Sequence, residues 1–141
     1  LRGQFVVEAN EALLWMQVLT KLNLDLVLEN MILAAHPEPW KWYRALDMLV
    51  SAVHGGHISR VGVEAMACGC PVLALEGSEE KAALLKCRDD PISMADSIVK
   101  LWDMIRADPK GLREKTRKLA EEHYDIRNTA RAFVKLAEEL I

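Results

Sequence analysis

The chain has 141 residues, of which 51% are hydrophobic and 28% charged, and its formal net charge is −3. These values are typical of one globular domain that is large enough to bury a core. Nucleic acid is not expected as a partner, because binding to a phosphate backbone requires clustered lysine and arginine. No uncharged apolar run approaches the roughly 18 residues of a membrane span, so we predict no transmembrane segment and a cytoplasmic location.

The first third of the sequence alternates predicted strands with predicted helices. An apolar, β-branched run predicts a strand at 4–9, and the apolar spacing that follows predicts a helix at 11–22. A second strand is predicted at 30–35, ahead of a loop that contains two prolines. A short helix at 40–46 and a third strand at 48–53 complete this part of the prediction.

A predicted helix at 60–68 leads into a fourth apolar strand at 71–75. Ser59 is suited to cap the start of this helix, and Gly69 is suited to its C-terminal cap. The predicted strands are apolar throughout and do not alternate, as expected where helices cover both faces of a sheet. The pattern predicts an α/β fold, a Rossmann-like open parallel sheet flanked by helices.

The rest of the chain is predicted to be helical. Ser93 and Asp96 have the spacing of a capping box, and Asp108 before Pro109 predicts the start of another helix. Asp125 is suited to cap the last helix. The apolar face of that last helix consists of Ile126, Ala130, Phe133, Val134, Ala137 and Leu140.

The three cysteines, Cys68, Cys70 and Cys87, are interpreted as buried reduced thiols. A zinc site would need a second pair of ligands, which the Cys-x-Cys spacing lacks. Because the sequence also shows no acidic cluster, we predict no metal site.

Glu64 is a single carboxylate in a stretch of small and apolar residues. A buried carboxylate is costly unless it is hydrogen-bonded, so we predict that Glu64 is buried and contacts a polar ligand. One turn inside the helix, it could accept hydrogen bonds from vicinal hydroxyls such as those of a ribose. The alternative is a surface position on the helix, which fits its apolar neighbours poorly.

The loop that precedes this helix has the features of an anion site. Open parallel sheets bind ligands beyond the carboxyl ends of their strands. Gly55 and Gly56 let the backbone approach a ligand closely, and amides near Ile58, Ser59 and Arg60 would open a helix N-terminus to a phosphate. Arg60 also adds a charge that can bind phosphate in a bidentate manner. Together with a carboxylate for the ribose, these groups predict a nucleotide site.

Each of these residues also has an ordinary interpretation. A Gly-Gly pair is a turn in most proteins, and a salt bridge from Arg60 is as well supported as phosphate binding. His36 is a candidate binding residue in the loop after the second strand, or a plain loop residue. His54 and His57 could bind a metal or act as an acid/base pair, although most loop histidines do neither. His57 and Arg60 are kept as candidate catalytic residues.

Residues 64–72 resemble the E-A-M-A-x-G-x-P-V signature of a glycosyltransferase family. The signature belongs to the C-terminal domain of retaining glycosyltransferases of the GT-B fold, the group-1 or family 4 set. Residues 42–51 resemble that family's Y-x-x-A-D-x-x-V-x-P-S segment, and residues 90–141 resemble its ending. The resemblance implies a domain that holds a nucleoside diphosphate-sugar donor for transfer to an acceptor, without a further cofactor.

The resemblance assigns site roles to a few positions only. The family has two glutamates separated by seven residues, and the second contacts the nucleotide ribose, a role that passes to Glu64. The first is associated with the transferred sugar and catalytic geometry, but Gly56 stands at that position here, followed by His57. Residues 77–80 lie where the family has a Gly-Gly-x-x-Glu loop near the donor.

A GT-B enzyme has two Rossmann-like domains with the active site between them, whereas 141 residues supply only one. We therefore expect a single donor-binding domain over 1–141, with a sheet core in 1–92 and C-terminal helices in 93–141. The family's first strand is missing ahead of Leu1, so the domain is expected to be incomplete at its N-terminus. The isolated chain is expected to be inactive without an N-terminal domain that carries the acceptor site.

Two other functions remain open from the sequence. The first is a divergent nucleotide-binding or scaffold domain that has lost catalysis, which the glycine at position 56 favours modestly. The second is a nucleotide-sugar epimerase of the same fold, which would need acidic and histidine catalytic groups that we cannot place. An incomplete domain can also self-associate through an open sheet edge.

Overall fold

The computed structural model describes residues 38–53 and 57–140. The strands and helix predicted at 4–9, 11–22 and 30–35 lie outside the described residues. The elements within them are α1 (Pro39–Ala45), β1 (Leu49–Ser51), α2 (Arg60–Ala67), β2 (Val72–Leu75), β3 (Leu85–Cys87), α3 (Pro91–Ala107), α4 (Pro109–Tyr124) and α5 (Ile126–Glu139).

The three described strands form one parallel sheet in the order β1-β2-β3. Ser51 pairs with Ala74 on one side of β2, and Leu75 pairs with Cys87 on the other. Because the strands are parallel, their carboxyl ends lie at the same edge of the sheet. The loops after β1 and β2 begin at this edge, and α2 follows the first of them. The predicted parallel α/β fold is confirmed.

Helices cover both faces of the sheet. On one face, Leu73 and Leu75 pack into a buried cluster with residues of α3, among them Ile98. On the other face, Val72 packs with Met66 of α2. All four residues of β2 are buried, which explains why this strand is apolar throughout. Burial of each large aliphatic side chain contributes about 2 kcal/mol to folding.

The local signals around α2 determine where this helix begins and ends. Ser59 caps its start, since the Ser59 hydroxyl accepts a hydrogen bond from the Gly62 amide at 3.0 Å. Gly69 follows its end with φ of +80°, a left-handed conformation that favours glycine. The Cys70 amide then donates to the Ala65 carbonyl at 2.9 Å, which closes the turn before β2. Both predicted caps are confirmed.

The prediction that everything after Leu75 is helical is wrong, because β3 follows β2 directly in the sheet. β3 has only three residues, and Lys86 at its centre is exposed. A strand this short shows no periodicity of its own, and it forms here because its backbone pairs with β2.

The predicted capping box at Ser93 and Asp96 is also wrong. The N-cap of α3 is Asp90, whose carboxylate accepts from the Ser93 amide at 2.8 Å, and Pro91 is the first helical residue. The Ser93 hydroxyl accepts from the Arg88 amide at 3.1 Å. Ser93 therefore lies three residues inside the cap, where its side chain closes the preceding turn.

The C-terminal third is helical, as predicted. Asp108 accepts from the Gly111 amide at 2.9 Å and starts α4, and Asp125 accepts from the Arg127 amide at 2.9 Å and starts α5. No residue of α5 is buried, so its apolar face is open to solvent. Across the described ranges, no helix combines the length and apolar character that crossing a membrane requires.

Candidate functional site

The N-terminus of α2 lies at the carboxyl edge of the sheet, next to the loop between β2 and β3. The Glu79 amide of that loop donates to the His57 carbonyl at 3.3 Å. His57, Ile58 and Arg60 are exposed there, and Ser59 is half-buried. The structure thus brings four of the predicted site residues together. The other loop and histidine candidates, Gly55, Gly56, His54 and His36, lie outside the described residues.

Arg60 is the first residue of α2, and its side chain reaches solvent beside the helix N-terminus. Within the part of the chain that the structure describes, no ion pair engages its guanidinium. A helix N-terminus favours negative charge because its first amides have no partner within the helix. The helix end and the arginine together can bind an anion such as a phosphate.

Glu64 is exposed, so the prediction that it is buried is wrong. The buried positions of α2 are Gly62, Ala65 and Met66, which share one face of the helix, and Glu64 lies outside that face. The Tyr43 hydroxyl donates to Glu64 Oε2 at 3.2 Å and joins α1 to α2. The carboxylate therefore remains in contact with water and is oriented by a neighbouring aromatic side chain.

The buried carboxylate of this region is Glu80, which is 0% exposed. The Ser51 hydroxyl at the end of β1 donates to Glu80 Oε1 at 2.8 Å, and the Ser59 amide lies near this carboxylate. Burial raises the pKa of the Glu80 carboxyl, while the Ser51 hydrogen bond, the nearby Ser59 amide and the charge of Lys86 act in the opposite direction. Desolvation is the larger effect because water is excluded from the whole side chain.

The backbone of α2 is shaped to accommodate this carboxylate. Gly62 is buried against Glu80, and a Cβ atom at this position would clash with Glu80 Oε1 and lie 3.3 Å from Ser59 Cβ. Only a residue without a side chain fits there unless the carboxylate moves. Glu80 therefore occupies the space that the third side chain of the helix would otherwise fill.

The β2–β3 loop is fixed in turn by Lys86 and contains a second buried polar group. Lys86 Nζ donates to the Ser78 carbonyl at 2.7 Å. Ser78 Oγ lies near the Glu80 carboxylate, but neither it nor Glu80 Oε2 reaches hydrogen-bond geometry with a partner in the described part of the chain. Two polar atoms at the carboxyl edge are thus buried without a partner among the residues that the structure describes.

The family resemblance placed residues 77–80 near the donor without a role for Glu80, and sequence reasoning did not identify Ser51. Glu79 and Glu80 are adjacent glutamates in that loop, which directly follows a buried strand. The sequence does not distinguish the exposed one from the buried one. That distinction depends on the packing of the loop against Gly62.

Metal binding receives no support from the described residues, among which no group of three or more histidine, cysteine or acidic side chains could hold an ion. Cys68 is half-buried, whereas Cys70 and Cys87 are buried, and all three are free thiols. Burial raises the pKa of Cys70 to about 12 and that of Cys87 to about 11. These two cysteines are part of the core clusters.

The fold resembles solved structures of GT-B proteins. Anabaena Alr3699/HepE, solved in complex with UDP, matches with a TM-score of 0.62 and 18% identity over 89% of this chain and 36% of its own. Sucrose-phosphate synthase (tll1590) from Thermosynechococcus elongatus matches with a TM-score of 0.63 and 19% identity over 96% of this chain and 37% of its own. The chain thus spans little more than a third of the length of these two proteins.

A parallel sheet covered by helices, with GT-B structures as its neighbours, defines a partial Rossmann-like domain. The family model described as Glycosyl transferases group 1 matches residues 15–104, which is more than half of the chain. The chain therefore belongs to the group-1 glycosyl transferases. No curated protein matches the sequence.

Proposed function

We propose that this chain is the donor-binding part of a nucleotide-sugar-dependent glycosyltransferase. The observation that carries the proposal is the position of Arg60 at the N-terminus of α2, at the carboxyl edge of a parallel sheet. This edge is where open α/β sheets bind their ligands. Membership of the group-1 family and the UDP complex of the HepE neighbour support a nucleoside diphosphate-sugar as the substrate.

The phosphates would be bound by the first amides of α2 and by the Arg60 guanidinium. The Gly62 amide donates to the Ser59 hydroxyl, so it is already used within the chain. The amides of Arg60 and Val61 are therefore the ones we assign to the diphosphate. Among the predicted site residues, Gly55, Gly56, His57 and Ile58 would also contact it.

Glu64 would bind the ribose of the nucleotide. Its carboxylate lies one turn beyond Arg60 and is exposed, so a ligand can reach it directly. Tyr43 holds Oε2, and no hydrogen bond within the described residues engages Oε1. One oxygen is thus oriented and the other is available to accept a hydrogen bond from a sugar hydroxyl. His36 remains a proposed binding residue.

The contribution of this chain to catalysis would be electrostatic. When the sugar leaves the donor, the bond between its anomeric carbon and the diphosphate oxygen breaks, and negative charge grows on the diphosphate. Arg60 and the helix amides would stabilise that charge. His57 is the remaining catalytic candidate, and it directly follows the position where the family has its first glutamate.

The acceptor would be bound by a second, N-terminal half of the protein. The chain spans only 36–37% of the length of its two structural neighbours. Its last helix, α5, also exposes large apolar residues, with Ile126 76% and Phe133 68% exposed. Such a face is typical of a surface that another domain covers. We propose that the acceptor-binding half packs against α5.

Titration calorimetry of the chain with UDP, GDP and ADP tests the donor site. We expect one nucleotide to bind. Arg60→Ala and Glu64→Ala should each weaken its affinity about tenfold or more, because each removes one charge-assisted hydrogen bond. Glu114→Ala, which changes an exposed carboxylate on α4, is the matched control and should bind as the unmodified chain does. A folded chain that binds none of the three nucleotides would contradict the proposal.

A sugar-transfer assay on the protein joined to its acceptor-binding half separates the enzyme from the scaffold alternative. Transfer from a nucleotide-sugar supports the enzyme. Nucleotide binding without transfer from any donor supports a domain that has lost catalysis.

A further inference from the structure

Glu80 connects three parts of the chain at the edge of the sheet where the proposed site lies. Its carboxylate accepts a hydrogen bond from the Ser51 hydroxyl at the end of β1, and the Ser59 amide at the start of α2 lies near it. It also packs against Gly62, inside the first turn of α2. The residues that surround one buried carboxylate thus come from β1, α2 and the β2–β3 loop.

We propose that Glu80 is a positioning residue, whose buried carboxylate holds the N-terminus of α2 in the orientation that binds the donor diphosphate. The inference rests on the proposed function, because it assigns a role at the same site. Glu80 itself is fully buried and does not contact the ligand. It acts through the helix end that carries Arg60 and the free amides.

The arrangement resembles a capping box in which the carboxylate comes from a distant residue. In an ordinary capping box, the third residue of the helix sends a carboxylate back to the amide of the N-cap residue. Here the third residue is Gly62, which has no side chain, and the carboxylate that packs against Gly62 and lies near the Ser59 amide belongs to Glu80. This packing links α2 to a loop 18 positions further along the chain, and movement of that loop would move the helix end.

Burial of an acid at this place is not explained by packing alone. An apolar side chain of similar size would fill the same space without the cost of removing a carboxyl group from water. The second oxygen of this carboxylate, Glu80 Oε2, and the nearby Ser78 Oγ are buried without hydrogen-bond partners in the described residues, which adds to that cost. What the carboxylate supplies, and an apolar group cannot, is a directional hydrogen bond to Ser51 beside the N-terminus of α2.

The cap at Ser59 also determines which amides face the ligand. Because the Ser59 hydroxyl takes the Gly62 amide, the amides of Arg60 and Val61 are the first ones of α2 that are left for a ligand. Loss of Glu80 would release the helix end that packs against its carboxylate. The diphosphate would then meet a helix end with no fixed orientation.

The first test compares Glu80→Ala and Glu80→Gln with Glu114→Gln, which changes the charge of an exposed residue on α4. Calorimetry measures whichever of UDP, GDP and ADP binds, together with its nucleoside. We expect Glu80→Ala to weaken binding of the nucleotide about tenfold while the affinity for the nucleoside stays within about twofold. Glu80→Gln, whose amide oxygen can accept the hydrogen bond from Ser51, should restore most of the affinity, and Glu114→Gln should have no effect.

A purely structural role would give a different pattern. Equal loss of nucleotide and nucleoside affinity in Glu80→Ala would overturn the proposal, and so would a glutamine variant as weak as the alanine variant. If Glu80→Ala fails to fold, Gly62→Ala replaces it, because the added Cβ displaces the same carboxylate from the opposite side. It should show the same selective loss of nucleotide affinity.

A second test does not depend on any ligand. Urea unfolding of Gly62→Ala, Glu80→Ala and the double variant forms a double-mutant cycle. We expect Gly62→Ala to lower the unfolding midpoint in the unmodified chain, and to lower it much less when Glu80 is already alanine. If the effects of the two substitutions on the unfolding midpoint are additive, the proposal that Glu80 positions α2 through its contact with Gly62 is overturned. If no nucleotide binds the unmodified chain, the proposed function fails, and the cycle still decides whether Glu80 holds α2.

Discussion

Tyr43 and Glu64 are joined across two helices by a hydrogen bond of 3.2 Å from the tyrosine hydroxyl to Glu64 Oε2. The contact places the signature glutamate of α2 at the surface and fixes one of its oxygens. Tyr43 also packs against the buried cluster on this face of the sheet, so the orienting group is itself anchored. A ligand that meets Glu64 would therefore meet a carboxylate with a defined direction.

Tyr43→Phe removes this hydrogen bond and keeps the ring. Because the contact is exposed, we expect the free energy of unfolding to change by less than about 1 kcal/mol. We expect nucleotide affinity to fall severalfold, since Glu64 loses its orientation. Calorimetry with the ribonucleotide and its 2′-deoxy analogue measures this, and the preference for the ribonucleotide should shrink. An unchanged preference would show that Tyr43 does not orient the ribose contact.

The stability of the chain should depend on pH through Glu80. Burial raises the pKa of this carboxyl above its ordinary value of 4.5, so the folded chain holds a proton that the unfolded chain releases. The stabilising contribution is fully present below pH 4.5 and is lost as the pH rises through the pKa of the folded state. Urea unfolding from acid to neutral pH should show Glu80→Gln gaining stability relative to the unmodified chain as the pH rises. A difference that stays constant across that range would contradict the prediction.

The three cysteines should differ in their reaction with iodoacetamide. Burial raises the pKa of Cys70 to about 12 and of Cys87 to about 11, and both side chains are out of contact with water. We expect mass spectrometry of the folded chain at pH 8 to find the half-buried Cys68 alkylated first. Cys70 and Cys87 should react only after unfolding in urea. Equal alkylation of all three in the folded chain would contradict this order.

Apolar residues in the sheet and on the last helix should differ in their effect on stability. Leu73 is 0% exposed at the centre of the sheet, and Leu73→Ala should lower the free energy of unfolding by about 2–5 kcal/mol. Phe133 is 68% exposed on α5, so Phe133→Ala should change it by less than about 0.5 kcal/mol. Urea unfolding of both variants measures the contrast. A large loss in Phe133→Ala would show that α5 is packed within the chain.

The sequence by itself determined the features that depend on neighbouring residues. Ser59, Asp108 and Asp125 cap helices as predicted, because a cap is formed between residues two or three positions apart. Gly69 ends α2 because a left-handed backbone favours glycine. The apolar run at β2 indicated a strand with both faces covered, and the resemblance at 64–72 indicated the family.

The tertiary structure alone decided which carboxylate is buried. Glu64 and Glu80 are both next to apolar segments, yet one is exposed and the other is fully enclosed. The difference arises because Glu80 packs against Gly62 and accepts a hydrogen bond from Ser51, residues that lie 18 and 29 positions away. The formation of β3 also depends on tertiary contacts, because its three residues become a strand only by pairing with β2. Such contacts form between distant segments, and no local pattern encodes them.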